Sequence, residues 1–192
     1  VVDRELYRKK LLEGCFELFA ERGYGTITMR QIAKGLGVST GTLYHYFPSK
    51  ESIFMQLVQE LCQQDFSTFL AQAPQEGPLE VRLQSVMDYV LQNMQYFHQQ
   101  TLLWVDFCQQ AQEGSDENVR FLRQIWDRVR DGLADYLQLS DPAMVDFLMV
   151  FIDGLTVQYL YNQKIHDADW LERQSKLTIQ LILHHERLSH SA

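Results

Sequence analysis

Thr28-Met-Arg-Gln-Ile-Ala-Lys-Gly-Leu-Gly-Val-Ser-Thr-Gly-Thr-Leu-Tyr-His-Tyr-Phe-Pro-Ser-Lys50 reads as two short helices joined by a tight glycine turn. The Thr28 hydroxyl is placed to accept from the first-turn amides, and Gln31 to reach back, as in a capping box. Ile32, Ala33 and Leu36 form an inner face. Gly37 ends this helix in a left-handed conformation that a side chain resists. Ser39 or Thr40 caps the next helix, which runs to about Tyr46, and Pro48 breaks it. Ala33 is small where the two helices must touch, while Val38 and Leu43 plug the space beneath. The second helix carries short polar and aromatic side chains where a buried helix carries aliphatic ones. This is the sequence form of a helix-turn-helix, whose second helix enters the DNA major groove.

Helical patterning continues on both sides. Leu6 to Arg22 has apolar residues at 11, 12, 15, 16 and 19 and a stop at Gly23. Ser49 caps a fourth helix running from Lys50 to about Gln72, with Glu51 in its first turn suiting the helix dipole. Ala73 to Pro78 is a loop, and a long helix then extends to about His98. A shorter helix covers Thr101 to Ala111. Gly114-Ser115-Asp116 is a turn, and Asn118 to Leu137 is helical. Asp141-Pro142 opens a helix reaching about Gln163, and Asp167 to Asp169 start the last one, which ends near His185. Proline occurs only at 48, 74, 78 and 142, and no stretch alternates with the period of a strand. The expected fold is all-α with about nine helices. A three-helix DNA-binding domain occupies residues 1–48 and a helical ligand-binding and dimerisation domain residues 49–192.

With 46% hydrophobic residues, the 192-residue chain can bury a core and is not of disordered composition. No apolar run approaches the ~20 residues needed to cross a bilayer. The first residues lack a signal-peptide apolar region, so a cytoplasmic location is expected. Cys15, Cys62 and Cys108 are far apart and odd in number, which suits free thiols in a reducing compartment. The net charge of −8 at first argues against nucleic acid, but its distribution reverses the argument. Residues 1–50 hold eight Lys/Arg against five acids, and residues 51–192 hold nine against twenty. A basic head on an acidic body confines phosphate attraction to one end.

The head resembles the TetR/AcrR family of bacterial transcription regulators. The matching residues are Phe19-x-x-x-Gly23-Tyr24, Ile27-Thr28-Met29-x-x-Ile32-Ala33, and Gly37-Val38-Ser39-x-Gly41-x-Leu43-Tyr44-x-Tyr46-Phe47-x-x-Lys50-Glu51-x-Ile53. The resemblance is close over about residues 10–58 and architectural beyond. It implies DNA binding by Thr28, Arg30, Ser39, Thr40, Gly41, Thr42, Tyr44, His45, Tyr46 and Lys50. Gly41 lets the backbone approach the duplex. Ser39, Thr40 and Thr42 are short donors for phosphate or base edges. The Tyr44 and Tyr46 hydroxyls, Lys50 and the helix start at Thr28 are expected to hold phosphate. Arg30 is equally suited to phosphate or to solvent. No arginine stands in residues 39–46, so part of the readout is expected to be indirect.

A major-groove reader of this size acts on a two-fold site as a homodimer. Phe147, Phe151, Leu155 and Tyr159 on one late helix, with Leu177 and Leu181 on the next, are the candidate dimer face; closing the monomer core is the other use for them. The middle helices hold many large adaptable side chains, and the family resemblance implies an effector pocket there. Met94, Phe97, Trp104, Phe107, Cys108, Trp126 and Phe151 are the candidate lining, which suits a small, largely apolar effector. Asp106, Gln109 and Asp153 are polar groups able to orient it.

Other chemistries find less support. The histidines lack the spacing of a metal site on one helix face, and no Cys-x-x-Cys occurs, so neither a metal nor a cofactor is expected. There is no phosphate-binding glycine loop and no nucleophile elbow, so an enzyme is not expected. Asp106 near Cys108 argues against a reactive thiolate there. The leading reading is a repressor released from a palindromic DNA operator by its effector. The alternative is a helical ligand-binding or adaptor protein that no longer binds specific DNA.

Overall fold

The computed structural model describes residues 3–111, 116–165 and 169–190, and every regular element among them is an α-helix. In chain order these are α1 (Arg4–Arg22), α2 (Met29–Gly35), α3 (Thr40–Tyr46), α4 (Lys50–Gln72), α5 (Leu79–Gln92), α6 (Met94–Ala111), α7 (Asp116–Leu137), α8 (Ala143–Ile165) and α9 (Trp170–Ser189).

Local chemistry sets most ends. The Asp3 carboxylate accepts from the Glu5 and Leu6 amides, so α1 begins two residues before the expected Leu6. Gly23, at φ 76°, closes it. Thr28 and Gln31 form the capping box of α2. Gly37 has φ 69°, the left-handed conformation its place in the turn requires. The Ser39 hydroxyl accepts from the Thr42 amide at 2.9 Å and so caps α3. Ser49 caps α4 in the same way, taking the Ser52 amide at 3.1 Å. The Asp141 carboxylate accepts the Ala143 amide at 2.9 Å ahead of α8.

Two expectations about helix ends change. The helix expected to run to His98 stops at Gln92, and α6 begins at Met94 rather than Thr101. Asn93 marks the break, its side-chain amide donating to the Tyr89 carbonyl at 2.8 Å beside its own backbone amide at 3.2 Å. The last helix starts at Trp170 and extends to Ser189, beyond the expected His185. Gly114 and Ser115 of the expected turn and the expected start at Asp167 lie outside the described residues, while Asp116, expected in that turn, begins α7.

The chain condenses into two compact units, each made of two stretches of sequence. One comprises Val1–Gln64 with Leu102–Ile125, the other Asp65–Thr101 with Trp126–Ala192. The cause is burial. The first half of α4 places Ile53, Phe54, Leu57 and Val58 in one core with Leu11, Leu12, Cys15 and Phe19 of α1. The second half of α6 adds Leu103 and Phe107 to that core. The Phe107 and Phe54 rings stack at 4.3 Å, and Tyr24 meets both edge-on at 5.0 Å. The other unit is built on Phe69, Leu83, Met87, Leu137, Leu148, Leu155 and Ile182. There α9 packs on α5, burying Ser175, Thr178, Ile179 and Ile182.

Candidate nucleic-acid interface and ligand region

The helix-turn-helix is held from below. Ile32, Ala33 and Leu43 are at most 1% exposed, and Phe47 is fully buried behind them. A Cβ on Gly35 would come within 2.6 Å of Leu18, so the small residue lets α2 lie close to α1. With Leu43 anchored, α3 turns Ser39, Thr40, Gly41, Tyr44 and His45 outward, all of them exposed. Thr42 is half-buried, and its hydroxyl lies 2.8 Å from that of Ser39. A Cβ on Gly41 would meet nothing nearer than the Ser39 hydroxyl at 3.7 Å. The protein interior therefore does not demand a glycine there. Arg30 is exposed on α2.

Three expected phosphate ligands are engaged within the protein. The Lys50 ammonium donates to the Tyr24 carbonyl at 2.7 Å and sits over the Tyr24 ring at 4.4 Å. The Thr28 hydroxyl accepts the Gln31 amide and donates to the Gln31 side-chain oxygen at 2.8 Å. The Tyr46 ring is half-buried against Tyr7 at 5.5 Å, with the Arg4 guanidinium over it at 5.9 Å. What sequence reading missed is the support for the loop between α1 and α2. The Gly25 amide donates to the Asp106 carboxylate at 3.0 Å, and the Tyr24 hydroxyl to Glu51 at 3.1 Å. Asp106 is thereby a structural partner of that loop.

The expected ligand-lining residues are divided between the two units. Trp104, Phe107 and Cys108 belong to the first unit; Met94, Phe97, Trp126 and Phe151 belong to the second. Phe107 is 1% exposed and stacked on Phe54, so it fills the core. Trp104 packs against the same core. Cys108, Gln109 and Trp126 are exposed. Met94, Phe97 and Phe151 do share the second core, which also holds polar groups. His98, 9% exposed, meets the Thr156 carbonyl through Nδ1 at 2.8 Å, and the Thr101 and Thr156 hydroxyls are 2.9 Å apart. Burial lifts the Asp153 carboxyl to about 6, with no opposing contribution.

The expected dimer face divides as well. Leu155 is 2% exposed and belongs to the core of its own unit. Phe151 and Tyr159 are half-buried. Phe147, Leu177 and Leu181 are 40%, 49% and 52% exposed. Val150, Val157 and Leu188, which periodicity does not single out, are also exposed. Phe147, Val150, Gly154 and Val157 form one stripe along α8, at helical spacing, and α8 packs against α9.

Residues 11–57 match the family described as "Bacterial regulatory proteins, tetR family". The transcriptional repressor KstR2 of Mycobacterium tuberculosis is 34% identical over 103 residues, 53% of this chain and 51% of that protein, so the match spans about half of KstR2. A transcriptional regulator from Saccharomonospora viridis, solved in complex with choline, superposes with a TM-score of 0.74 at 19% identity, covering 94% of this chain and 97% of that one. FadR of Bacillus subtilis, solved in complex with stearoyl-CoA, superposes with a TM-score of 0.71 at 20% identity, covering 91% and 96%. At such identities the two structures establish a shared fold, and no more.

Proposed function

We propose, from the premise that this chain is a member of the tetR family of bacterial regulatory proteins, that it is a homodimeric transcriptional regulator that binds DNA through α3 and lets go when a small effector binds. The observation that carries the reading is the outward row on α3. Ser39, Thr40, Gly41, Tyr44 and His45 are exposed on a helix whose position is fixed by the buried Leu43. Those are short donors, an aromatic and a bare backbone, fitted to phosphates, base edges and a thymine methyl. The helix starts at Thr28 and Ser39 carry donors suited to phosphate. Thr42, Tyr46 and Arg30 stand beside this surface, and Lys50 would have to leave the Tyr24 carbonyl to take part.

Dimerisation through α8 and α9 is supported by the exposed Phe147, Val150, Val157, Leu177 and Leu181. Two helices from each copy make a four-helix bundle. The two recognition helices then address a palindromic site. A small, largely apolar effector held in the second unit, among residues that include Met94, Phe97 and Phe151, would favour the form with lower DNA affinity. It acts only through its different affinity for the two forms. The choline and stearoyl-CoA complexes of the two solved regulators support effector binding by this fold. Repression is the reading closest to KstR2.

The test is footprinting on the DNA flanking this chain's own gene, followed by titration of salt on the protected duplex. A protected two-fold site whose affinity falls steeply with salt is the expected result. Protein that protects no site while remaining folded and dimeric points to the adaptor reading instead.

A further inference from the structure

Asp65 is carried on α4 and sits where α4, α5 and α6 meet in the second unit. Its carboxylate accepts the Tyr96 hydroxyl at 3.1 and 3.3 Å and the Gln100 amide at 2.9 Å. The Tyr89 hydroxyl donates to its backbone carbonyl at 3.1 Å. All of these donors are neutral, and among the described residues no lysine, arginine or histidine pairs with it. Burial raises the carboxyl's affinity for its proton, against the opposing pull of the Gln100 and Tyr96 hydrogen bonds. A half-buried carboxylate without a counter-cation is unfavourable unless something else supplies the charge. Its two tyrosine partners belong to a chain of rings: Tyr96 to Phe97 at 5.6 Å, Phe97 to Tyr89 at 6.0 Å, Tyr89 to Phe69 at 5.4 Å. Aromatic faces attract cations, and a carboxylate offers about four lone-pair positions, of which the Tyr96 hydroxyl and the Gln100 amide take two.

We propose that Asp65, framed by Tyr89, Tyr96 and Phe97, is the recognition point for an organic cation, such as a substituted ammonium with an apolar body. The positive centre meets the carboxylate and the ring faces, and the body lies on the apolar side chains of the same unit. Gln100 and Tyr96 hold the carboxylate's orientation, which leaves the remaining lone pairs for the ligand. This rests on the reading that the unit binds an effector, and it names the effector's chemistry. Since Asp65 rides on the helix that begins at Lys50, neutralising it acts on the element that also carries the head's Ile53 and Phe54.

Calorimetric titration of the full chain with benzyltrimethylammonium and with its uncharged carbon isostere, neopentylbenzene, tests this. The cation is expected to bind about tenfold or more tightly than the isostere. D65N is expected to remove that preference while leaving the weak binding of the isostere unchanged. Y96F, which keeps the ring, is expected to weaken the cation less than D65N does. Equal affinity for the two compounds, no binding of the cation, or a D65N variant that keeps the preference with an unaltered melting curve each sinks the proposal and leaves Asp65 as a staple between helices. DNA footprinting separates this from the broader reading. A protected operator with no cation preference removes the site alone. A cation preference without any operator keeps the site and removes the regulator.

Discussion

The Asp106 carboxylate on α6 accepts the backbone amide of Gly25 at 3.0 Å, so the loop that leads into the helix-turn-helix is tied to a residue 81 positions away. Phe107, the next residue, stacks on Phe54 and meets Tyr24 edge-on. Any shift of the second half of α6 is felt at the loop preceding Thr28. Asp106→Ala is therefore expected to cost about 1 kcal/mol of stability, and to leave the half-buried Gly25 amide without its acceptor. Hydrogen exchange at Gly25 should quicken, and operator affinity should fall although the variant removes no group on α3. Unchanged exchange at Gly25 would show that the contact does not hold the loop.

Gly41 separates folding from binding. Space for a Cβ is open on the protein side, and alanine favours helix over glycine. Gly41→Ala is expected to be neutral, or up to about 0.5 kcal/mol stabilising, by urea denaturation. Yet it is expected to weaken the footprint by an order of magnitude or more, because on the proposed reading the added methyl stands where the duplex backbone approaches. Intact DNA affinity in this variant would argue against α3 as the reading helix.

Leu181 is 52% exposed and Leu177 49%, against 2% for Leu155. Paired Leu177→Glu and Leu181→Glu substitutions are expected to yield a folded monomer by light scattering, with helical content retained and two-fold operator binding lost. Leu155→Ala, by contrast, is expected to lower stability by about 2–5 kcal/mol, as truncations in a core do. A dimer that survives the double glutamate substitution places the interface elsewhere.

Asp153 gives a pH dependence of defined sign. Its folded value of about 6 lies above the ordinary 3.8, so the folded form holds the proton more tightly. Stability from this group is complete below about pH 4 and is lost as pH rises to about 6. Asp153→Asn is expected to match the wild type near pH 4 and to exceed it by about 3 kcal/mol at pH 7.5, since each tenfold difference in proton affinity corresponds to about 1.4 kcal/mol. Melting both proteins across that range checks the difference. A constant offset at all pH values would assign the gain to something other than ionisation.

Legibility in the sequence followed locality. The Thr28–Gln31 box, the Ser39 cap and the left-handed Gly37 are each decided within four residues, and each is present as expected. The Asn93 break is also local, but an asparagine in a polar stretch looks like an ordinary surface position until its amide is seen on the Tyr89 carbonyl. Phe107 reads as pocket lining because nothing near it in sequence says that its ring partners are Phe54 and Tyr24. Lys50 shows the same limit, its ammonium having turned inward to the Tyr24 carbonyl. On α8 the apolar run is almost continuous, so periodicity could not tell the exposed Phe147 from the buried Leu155. Asp65 carried no signal at all, because its hydroxyl and amide partners lie 31 and 35 residues on.

The cysteines have an experimental use. Cys15 is fully buried and its thiol is pushed up to about 12, which makes it inert to alkylation in the folded protein. Cys108 is exposed, two residues beyond the Asp106 carboxylate and next to Phe107. A maleimide dye added briefly to the native chain will meet Cys108 first, ahead of the half-buried Cys62. The molecule thus arrives with its own attachment point for a reporter, on the helix segment whose movement would be worth watching.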